Sequence, residues 1–185
     1  MTIVAVSDTN IFIDLLETSL LEKLFLLPWK IHTTDFILNE IKEERQKKQM
    51  DAIKHQYELT VKVFDIDELA DLLDFYEEQR SKSNLSLQDC SVWTYSKNNG
   101  FALITGDGKL RIAAKADGVE VHGILYIFDQ FVEHKILTSK EAADKLEELK
   151  LLNQRLPKSD IDKRIDKWRG SHINEKEGMD MHKKI

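Results

Sequence analysis

Two short apolar runs, each followed closely by an aspartate, constrain the fold of this chain more than any other feature. Residues 3–6 are continuously apolar and Asp8 stands just beyond them, while residues 101–104 form a second such run ahead of Asp107. Uninterrupted apolar runs of this length are typical of parallel strands that are buried on both faces. Because helix-like stretches separate the runs, the sequence predicts an α/β fold with a central, mostly parallel sheet flanked by helices.

Capping signals and apolar spacing place the other elements of this fold. Ser86 with Asp89, and Thr138 with Glu141, have the form of capping boxes, and Pro28 ends the second predicted helix. Helices are expected from residue 9 or 10, at 20–27, from 33 or 34 to 41, from 65, from 86 to about 99, and at 109–116, 124–133, 139–152 and 160–168. Strands are expected at 3–6, 29–32, 60–64, 101–104 and 119–121.

The length of 185 residues fits one main domain with additions at its C-terminal end. We expect a catalytic domain over residues 1–135, a helical extension packed on it over 136–169, and a mobile tail over 170–185. The chain has one cysteine, so it has no intrachain disulfide, and no apolar run approaches the roughly 20 residues that span a bilayer. These features predict a cytoplasmic protein that does not enter the membrane.

Four acidic residues are expected to meet at one edge of the sheet. Asp8 and Asp107 follow the two clearest strands, and Glu40 and Asp89 lie on helices predicted to begin near the same edge, where α/β sheets bind ligands. Two such charges about 4 Å apart repel by about 4 kcal/mol at an effective dielectric of 20, so the group needs protons or cations. Ligands that are all oxygen favour Mg²⁺ or Mn²⁺, which can activate water for cleavage of a phosphodiester.

Each of the four acids also has a structural interpretation. Asp8 can cap the first helix, Asp89 can be the inner member of a capping box, Glu40 can be a solvated helix acid, and Asp107 can be a turn residue. For any single acid the structural interpretation is favoured. The ordered set, with two members at strand ends, favours the functional one.

Four motifs contain these acids and follow one another along residues 1–130: Val-Ser-Asp8-Thr9-Asn10, Glu40 early in a helix, Leu-Gln-Asp89 and Ile-Thr105-Gly106-Asp107. In this order they resemble the motifs of the PIN-domain ribonucleases. The resemblance implies a three-layer PIN-like sandwich in which the four acids are the catalytic residues and bind one or two Mg²⁺ or Mn²⁺ ions. It also implies an endoribonuclease that cleaves single-stranded RNA, for which Asn10, Thr105 and Lys109 are the expected substrate contacts.

The biological role that the resemblance implies is less specific than the chemistry. Many bacterial members are VapC-like toxins of toxin–antitoxin pairs, which form homodimers and bind a small antitoxin protein. This chain is longer, and its C-terminal part resembles a prokaryotic PIN-like branch with added helices, so a role in RNA processing stays open. A non-catalytic RNA- or protein-binding scaffold is the main alternative. An aspartate-dependent phosphohydrolase is a further one, although that chemistry usually needs an aspartate where Asn10 stands.

Several other residues have competing interpretations. Asp14 and Asp129 are weaker candidates for the site, and a surface acid is the favoured interpretation of Asp14. Cys90 and Trp93 are expected to be core residues and not a nucleophile or a base-stacking ring. The net charge of −6 argues weakly against nucleic acid as a partner, but basic residues cluster after Glu40 and after Asp107. They are Lys42, Arg45, Lys47, Lys48, Lys109, Arg111 and Lys115, and they are equally well interpreted as solvated helix faces.

Overall fold

A computed structural model describes the backbone of residues 3–181 and the side chains of residues 3–170. The strands are β1 (Ile3–Ser7), β2 (Trp29–Thr34), β3 (Leu59–Lys62), β4 (Ala102–Ile104) and β5 (Val121–His122). The helices are α1 (Thr9–Glu17), α2 (Leu21–Leu24), α3 (Asp35–Glu40), α4 (Glu44–Gln56), α5 (Ile66–Ser83), α6 (Leu87–Asn99), α7 (Gly108–Ala116), α8 (Ile124–Glu133), α9 (Ser139–Leu152) and α10 (Lys158–Met181).

The five strands form one sheet in the order β3-β2-β1-β4-β5, and every pairing in it is parallel. Strand β1 is central, and its residues Ala5 and Val6 are buried, as the apolar run predicts. Ser7 pairs with Ile104, and the Asp8 amide continues the ladder by donating to the Ile104 carbonyl at 3.1 Å. The register therefore sets the residues that follow β1 directly beside those that follow β4.

Helices flank this sheet and confirm the predicted α/β fold. Helix α6 packs on β1, β2 and β4, helices α3 and α5 pack on α6, and α7 packs on β5. Local capping sets where these helices begin. The Thr34 hydroxyl accepts a hydrogen bond from the Ile37 amide at the start of α3, and Ser86 with Asp89 forms the predicted capping box at the start of α6.

The chain divides into two compact units. One comprises Met1–Leu16 and Pro28–Ile124, and it contains the whole sheet with helices α3 to α7. The other comprises Glu17–Leu27 and Leu125–Ile185. The predicted division at residue 135 stays a prediction about domains, since compactness alone does not define where a catalytic domain ends.

In the second unit, α9 and α10 pack against each other, and Arg164 of α10 binds Asp129 of α8. The Arg164 Nε and Nη2 atoms donate to the two Asp129 oxygens at 3.0 and 2.7 Å. Asp129 is thus held in a bidentate ion pair of this unit. Its buried apolar side chains include Leu146, Leu149, Ile161, Ile165 and Trp168.

Some predicted boundaries differ from those observed. Helix α4 was not predicted, because buried Gln46, Met50 and Ile53 give it helical spacing but few apolar residues. Strand β5 begins at Val121 and not at residue 119. Helix α10 continues to Met181, past the predicted end at residue 168 and into the predicted tail. The side chains of residues 171–185 lie outside the described residues, so the mobile tail stays a prediction.

Residues 3–181 contain no helix that combines the length and the apolar character needed to cross a membrane.

Gly100 is a position where the backbone conformation favours glycine. It ends α6 with φ +65°, and a Cβ there would meet nothing within 4 Å, so a substitution adds only backbone strain. We expect Gly100→Ala to lower the free energy of unfolding by about 1–2 kcal/mol. Gly170→Ala is the matched control, because Gly170 is helical and equally open, and there alanine should be neutral or stabilising. Urea unfolding curves in which the two variants behave alike would contradict this account of Gly100.

Candidate active site

The Thr105 hydroxyl joins the two acids that follow the central strands. It donates to Asp8 Oδ2 at 2.6 Å, and it accepts a hydrogen bond from the Asp107 amide at 3.0 Å. Thr105 is fully buried and Asp8 is 3 % exposed, so this contact is shielded from water. The parallel register of β1 and β4 therefore brings Asp8 and Asp107 to one position at the carboxyl edge of the sheet, as predicted. The prediction that Thr105 contacts substrate stays a prediction.

The turn after β4 fits closely against the start of α1. A Cβ added at Gly106 would lie 3.3 Å from Asn10 Cβ, so a larger residue would require Asn10 to shift by a few tenths of an ångström. Asn10 approaches Asp8 with its backbone amide and its side-chain Nδ2, each at 3.4 Å from a carboxylate oxygen. Asp107 then caps α7, because its Oδ1 accepts from the Leu110 amide at 2.8 Å.

Glu40 reaches the same edge through a contact that the sequence did not indicate. The prediction that Glu40 lies early in a helix is wrong, because it is the last residue of the short helix α3. The Thr9 hydroxyl donates a hydrogen bond to its Oε2 atom. Thr9 follows Asp8 directly, so this bond ties the end of α3 to the end of β1. Asp35, Glu43 and Glu44 are the other acids near Glu40 in the sequence. The contact distinguishes it from them.

Asp89 has the structural role that the sequence suggested, and it also lies near the other acids. Its Oδ2 accepts from the Ser86 amide at 2.9 Å and from the Ser86 hydroxyl at 2.8 Å, which completes the capping box of α6. Burial raises the pKa of Asp89, the Ser86 hydrogen bonds lower it, and the charges of Asp107 and Glu40 raise it further. The capping interpretation of Asp89 is therefore confirmed, and its role in the site stays a prediction.

The pKa of Asp8 departs strongly from its ordinary value. Burial raises its pKa from an ordinary value of 3.8 to about 6, although the Thr105 hydrogen bond opposes the rise and the charge of Asp89 adds to it. Since Asp89 is in turn coupled to Asp107 and Glu40, the four predicted acids form one electrostatic group. Asp8 is buried, Asp89 and Asp107 are half-buried and Glu40 is exposed, so a cation at this edge would be stabilised by acids that solvent can still reach.

The donor set fits a hard divalent cation. The candidate ligands are all carboxylates, and oxygen ligands are those that Mg²⁺ and Mn²⁺ prefer. Among the side chains of residues 3–170, no three or more His, Cys, Asp or Glu groups converge closely enough to hold a metal together. Each acid instead accepts hydrogen bonds from the protein, namely from Thr105, Thr9, Ser86 and Leu110.

The structure also places the other residues that the sequence suggested for the site, namely Asp14, Cys90, Trp93 and Lys109. The interpretation of Asp14 as a surface acid is wrong, because it is 7 % exposed on the inner side of α1. Cys90 is buried, and burial followed by the charge of Asp89 raises the pKa of its thiol to about 12, which excludes a ready thiolate nucleophile. Trp93 is buried and makes an edge contact with Phe75, as predicted for a core residue. Lys109, the expected substrate contact, is exposed at the start of α7.

Fold and site together define a parallel α/β protein with a coupled group of carboxylates beyond the carboxyl ends of its central strands. The family model described as DUF3368, a PIN domain, matches residues 4–169. The chain therefore belongs to the PIN-domain family. PIN domains are typically nucleases, and they generally use divalent metals. No curated protein matches the chain with significant similarity.

The raised pKa of Asp8 predicts a pH-dependent cost to stability. The folded state holds the Asp8 proton more tightly than the unfolded state, so this stabilisation is present at low pH and is lost as pH rises from 3.8 through about 6. In EDTA, Asp8→Asn should therefore be more stable than the wild type above pH 7, by up to about 3 kcal/mol, and the gain should vanish near pH 4. Asp74→Asn, at an exposed position on α5, is the control. Equal gains at both pH values would contradict the burial of an ionised Asp8.

Proposed function

We propose that the chain is a metal-dependent endoribonuclease that hydrolyses phosphodiester bonds of single-stranded RNA. The observation that carries the proposal is that the Thr105 hydroxyl joins Asp8 to Asp107 at the carboxyl edge of a PIN-domain sheet, where Thr9 also binds Glu40 and the charge of Asp89 acts on Asp8. Membership of a family whose members are typically nucleases supports hydrolysis of a nucleic acid. RNA as the substrate, and the four acids as the catalytic set, are part of the proposal.

The four carboxylates are the groups that would hold Mg²⁺ or Mn²⁺. When bound, such an ion supplies an activated water and a counter-charge for the leaving oxygen. The protein's own contribution is orientation. Thr105 fixes one oxygen of Asp8 and the backbone of Asp107, Ser86 fixes one oxygen of Asp89, and Thr9 restrains Glu40. With a pKa of about 6, Asp8 is mostly ionised at neutral pH and so can act as a ligand.

A basic groove next to Glu40 suits the phosphates of an RNA strand. Lys42, Lys47 and Lys54 line a groove of about 460 Å³ between α3, the helix that carries Glu40, and α4. Lys47 and Lys54 make only long contacts with exposed acids of their own helix, at 3.6 and 3.9 Å. Such pairs are weak and leave the ammonium charges available to phosphate. We assign these lysines to backbone contact, together with the predicted Lys109, and we keep Asn10 as a predicted substrate contact beside Asp8.

One observation favours the alternative of a non-catalytic PIN-like scaffold. Within the described part of the chain, each of the four acids accepts a hydrogen bond from the protein, and no three converge on a common point. A scaffold would use the acidic edge to bind a protein or RNA without cleaving it. The cleavage assay below separates the two functions.

The biological setting implied by the resemblance stays a prediction. It comprises the VapC-like toxin role, the antitoxin partner, the homodimer and the cytoplasmic location.

The proposed chemistry predicts that cleavage depends on Asp8 and on a divalent metal. The wild type with Mn²⁺ or Mg²⁺ should cut a labelled single-stranded RNA, EDTA should abolish cutting, and Asp8→Asn should lower the rate by at least about a hundredfold because a metal ligand is lost. Product bands on a denaturing gel measure the rate. Circular dichroism should show that Asp8→Asn is folded.

Asp74→Asn is the matched control for this experiment, because Asp74 is an exposed acid on α5 and lies outside the coupled group. It should cleave at the wild-type rate. Cleavage that survives both EDTA and Asp8→Asn would overturn the proposed function. A folded wild type that binds RNA but cuts none with either metal would favour the scaffold.

The basic groove predicts a change in the salt dependence of RNA binding. Each lysine that neutralises a phosphate of a single strand contributes about 0.7 to the slope of log Kd against log salt. Replacing Lys42, Lys47 and Lys54 by glutamine should therefore lower the slope by about 2. Fluorescence anisotropy of a labelled single-stranded RNA, measured with Mg²⁺ in the Asp8→Asn background so that the RNA stays intact, gives this slope.

Three exposed lysines elsewhere in the chain serve as the control for the groove. Lys140, Lys158 and Lys163 replaced together by glutamine change the net charge equally. Their slope should stay close to that of the parent protein. Equal losses in the two triple variants would show that only total charge matters and that the groove is not the binding surface.

A further inference from the structure

Arg111 contacts the turn that carries two of the candidate catalytic groups. It lies on α7, and its Nη2 atom donates to the Thr105 carbonyl at 2.9 Å. Thr105 is the residue whose hydroxyl joins Asp8 to Asp107, so Arg111 holds the main chain of that residue from the other side. The sequence placed Arg111 only among the basic residues that follow Asp107.

The position of the guanidinium depends on the absence of a side chain at Gly123. A Cβ at Gly123 would lie 2.5 Å from Arg111 Nη2, which is closer than real Cβ atoms come to other atoms, and 3.2 Å from its Cζ, which is a tight contact. Gly123 follows β5 directly, and the adjacent His122 carbonyl accepts from the Thr105 amide at 3.0 Å. The guanidinium is therefore confined between the end of β5 and the turn after β4.

Arg111 is not held there by charge pairing. Among the described residues it forms no ion pair with a carboxylate, and its Nε atom is buried without a hydrogen-bond partner. A buried donor without a partner costs about 1–3 kcal/mol, so a residue that served packing alone would be better replaced by an apolar side chain. The hydrogen bond that the guanidinium does make runs from Nη2 to the Thr105 carbonyl.

We propose that Arg111 is a positioning residue of the candidate active site. Gly123 leaves room for its guanidinium, and the guanidinium fixes the turn from Thr105 to Asp107, so that Asp8 and Asp107 keep their relative placement. The proposal rests on the proposed function, because the property that Arg111 would set is the affinity of these acids for a divalent cation. The planar fork of arginine suits this confined contact better than the mobile ammonium of lysine.

The test measures Mn²⁺ binding and turnover in two variants that disturb the contact in different ways. Arg111→Met removes the donor, and Gly123→Ala keeps the arginine but displaces it. Both should weaken Mn²⁺ binding about tenfold in isothermal titration calorimetry, since residues behind metal ligands have effects of this size. Both should also lower kcat for RNA cleavage and leave KM unchanged, because neither touches the basic groove. Arg111→Lys should restore only part of the affinity.

Controls separate positioning from general destabilisation. Arg80→Met removes an exposed arginine of α5, and Gly170→Ala adds a methyl group in open space; both should bind Mn²⁺ like the wild type. If Arg111 has only a structural role, its variants should have a lower free energy of unfolding, but the folded variants should bind Mn²⁺ within about twofold of the wild type. That result would overturn the proposal.

Two further outcomes would also overturn it. Full rescue by Arg111→Lys would show that the site needs a charge and not a seated guanidinium. A folded wild type that binds no Mn²⁺ would overturn the proposed function and this inference together, whereas normal binding in the wild type with unaffected variants would overturn the inference alone.

Discussion

The parallel pairing of β1 with β4 is the constraint on which the rest of the site depends. Because Ser7 pairs with Ile104, the next residues of both strands, Asp8 and Thr105, meet at one edge, and a single hydroxyl can bridge Asp8 to the Asp107 amide. A slip of one residue would turn every side chain of β1 to the opposite face of the sheet. The buried apolar residues of the two strands fix the register, so the core of the sheet determines the geometry of the acids.

This geometry places negative charge where it is unfavourable for folding. Burial of Asp8, with Asp89 nearby, raises its pKa to about 6, and Asp89 is further coupled to Asp107 and Glu40. Clusters of perturbed carboxylates at a sheet edge are more often functional than structural, because packing alone gains nothing from them. The protein donors around the acids satisfy some oxygen atoms and hold them in place. A bound cation would balance the remaining negative charge. The charge that is unfavourable for folding is therefore the charge that the proposed metal-dependent chemistry needs.

Sequence reasoning predicted the strands and the acids better than it predicted the contacts among them. The apolar runs before Asp8 and Asp107 are continuous, so their strands and the α/β class followed directly, and the capping box at Ser86 was visible in the spacing. Helix α4 was missed because its buried residues include Gln46, and α10 extends further than its apolar pattern indicated. The hydrogen bond from Thr9 to Glu40 and the packing of the Arg111 guanidinium against Gly123 involve residues that are not adjacent in sequence. No repeating sequence pattern indicates either contact, so only the folded chain shows them.

We propose that the four carboxylates together form one cation site at the carboxyl edge of the sheet. Anomalous diffraction from crystals grown with Mn²⁺ tests this site, since the signal locates the ion without reference to activity. We expect a peak bound by carboxylate oxygens of Asp8 and Asp107, with Asp89 or Glu40 completing the protein ligands. Crystals in which this edge has no peak, or in which Mn²⁺ binds other carboxylates alone, would contradict it.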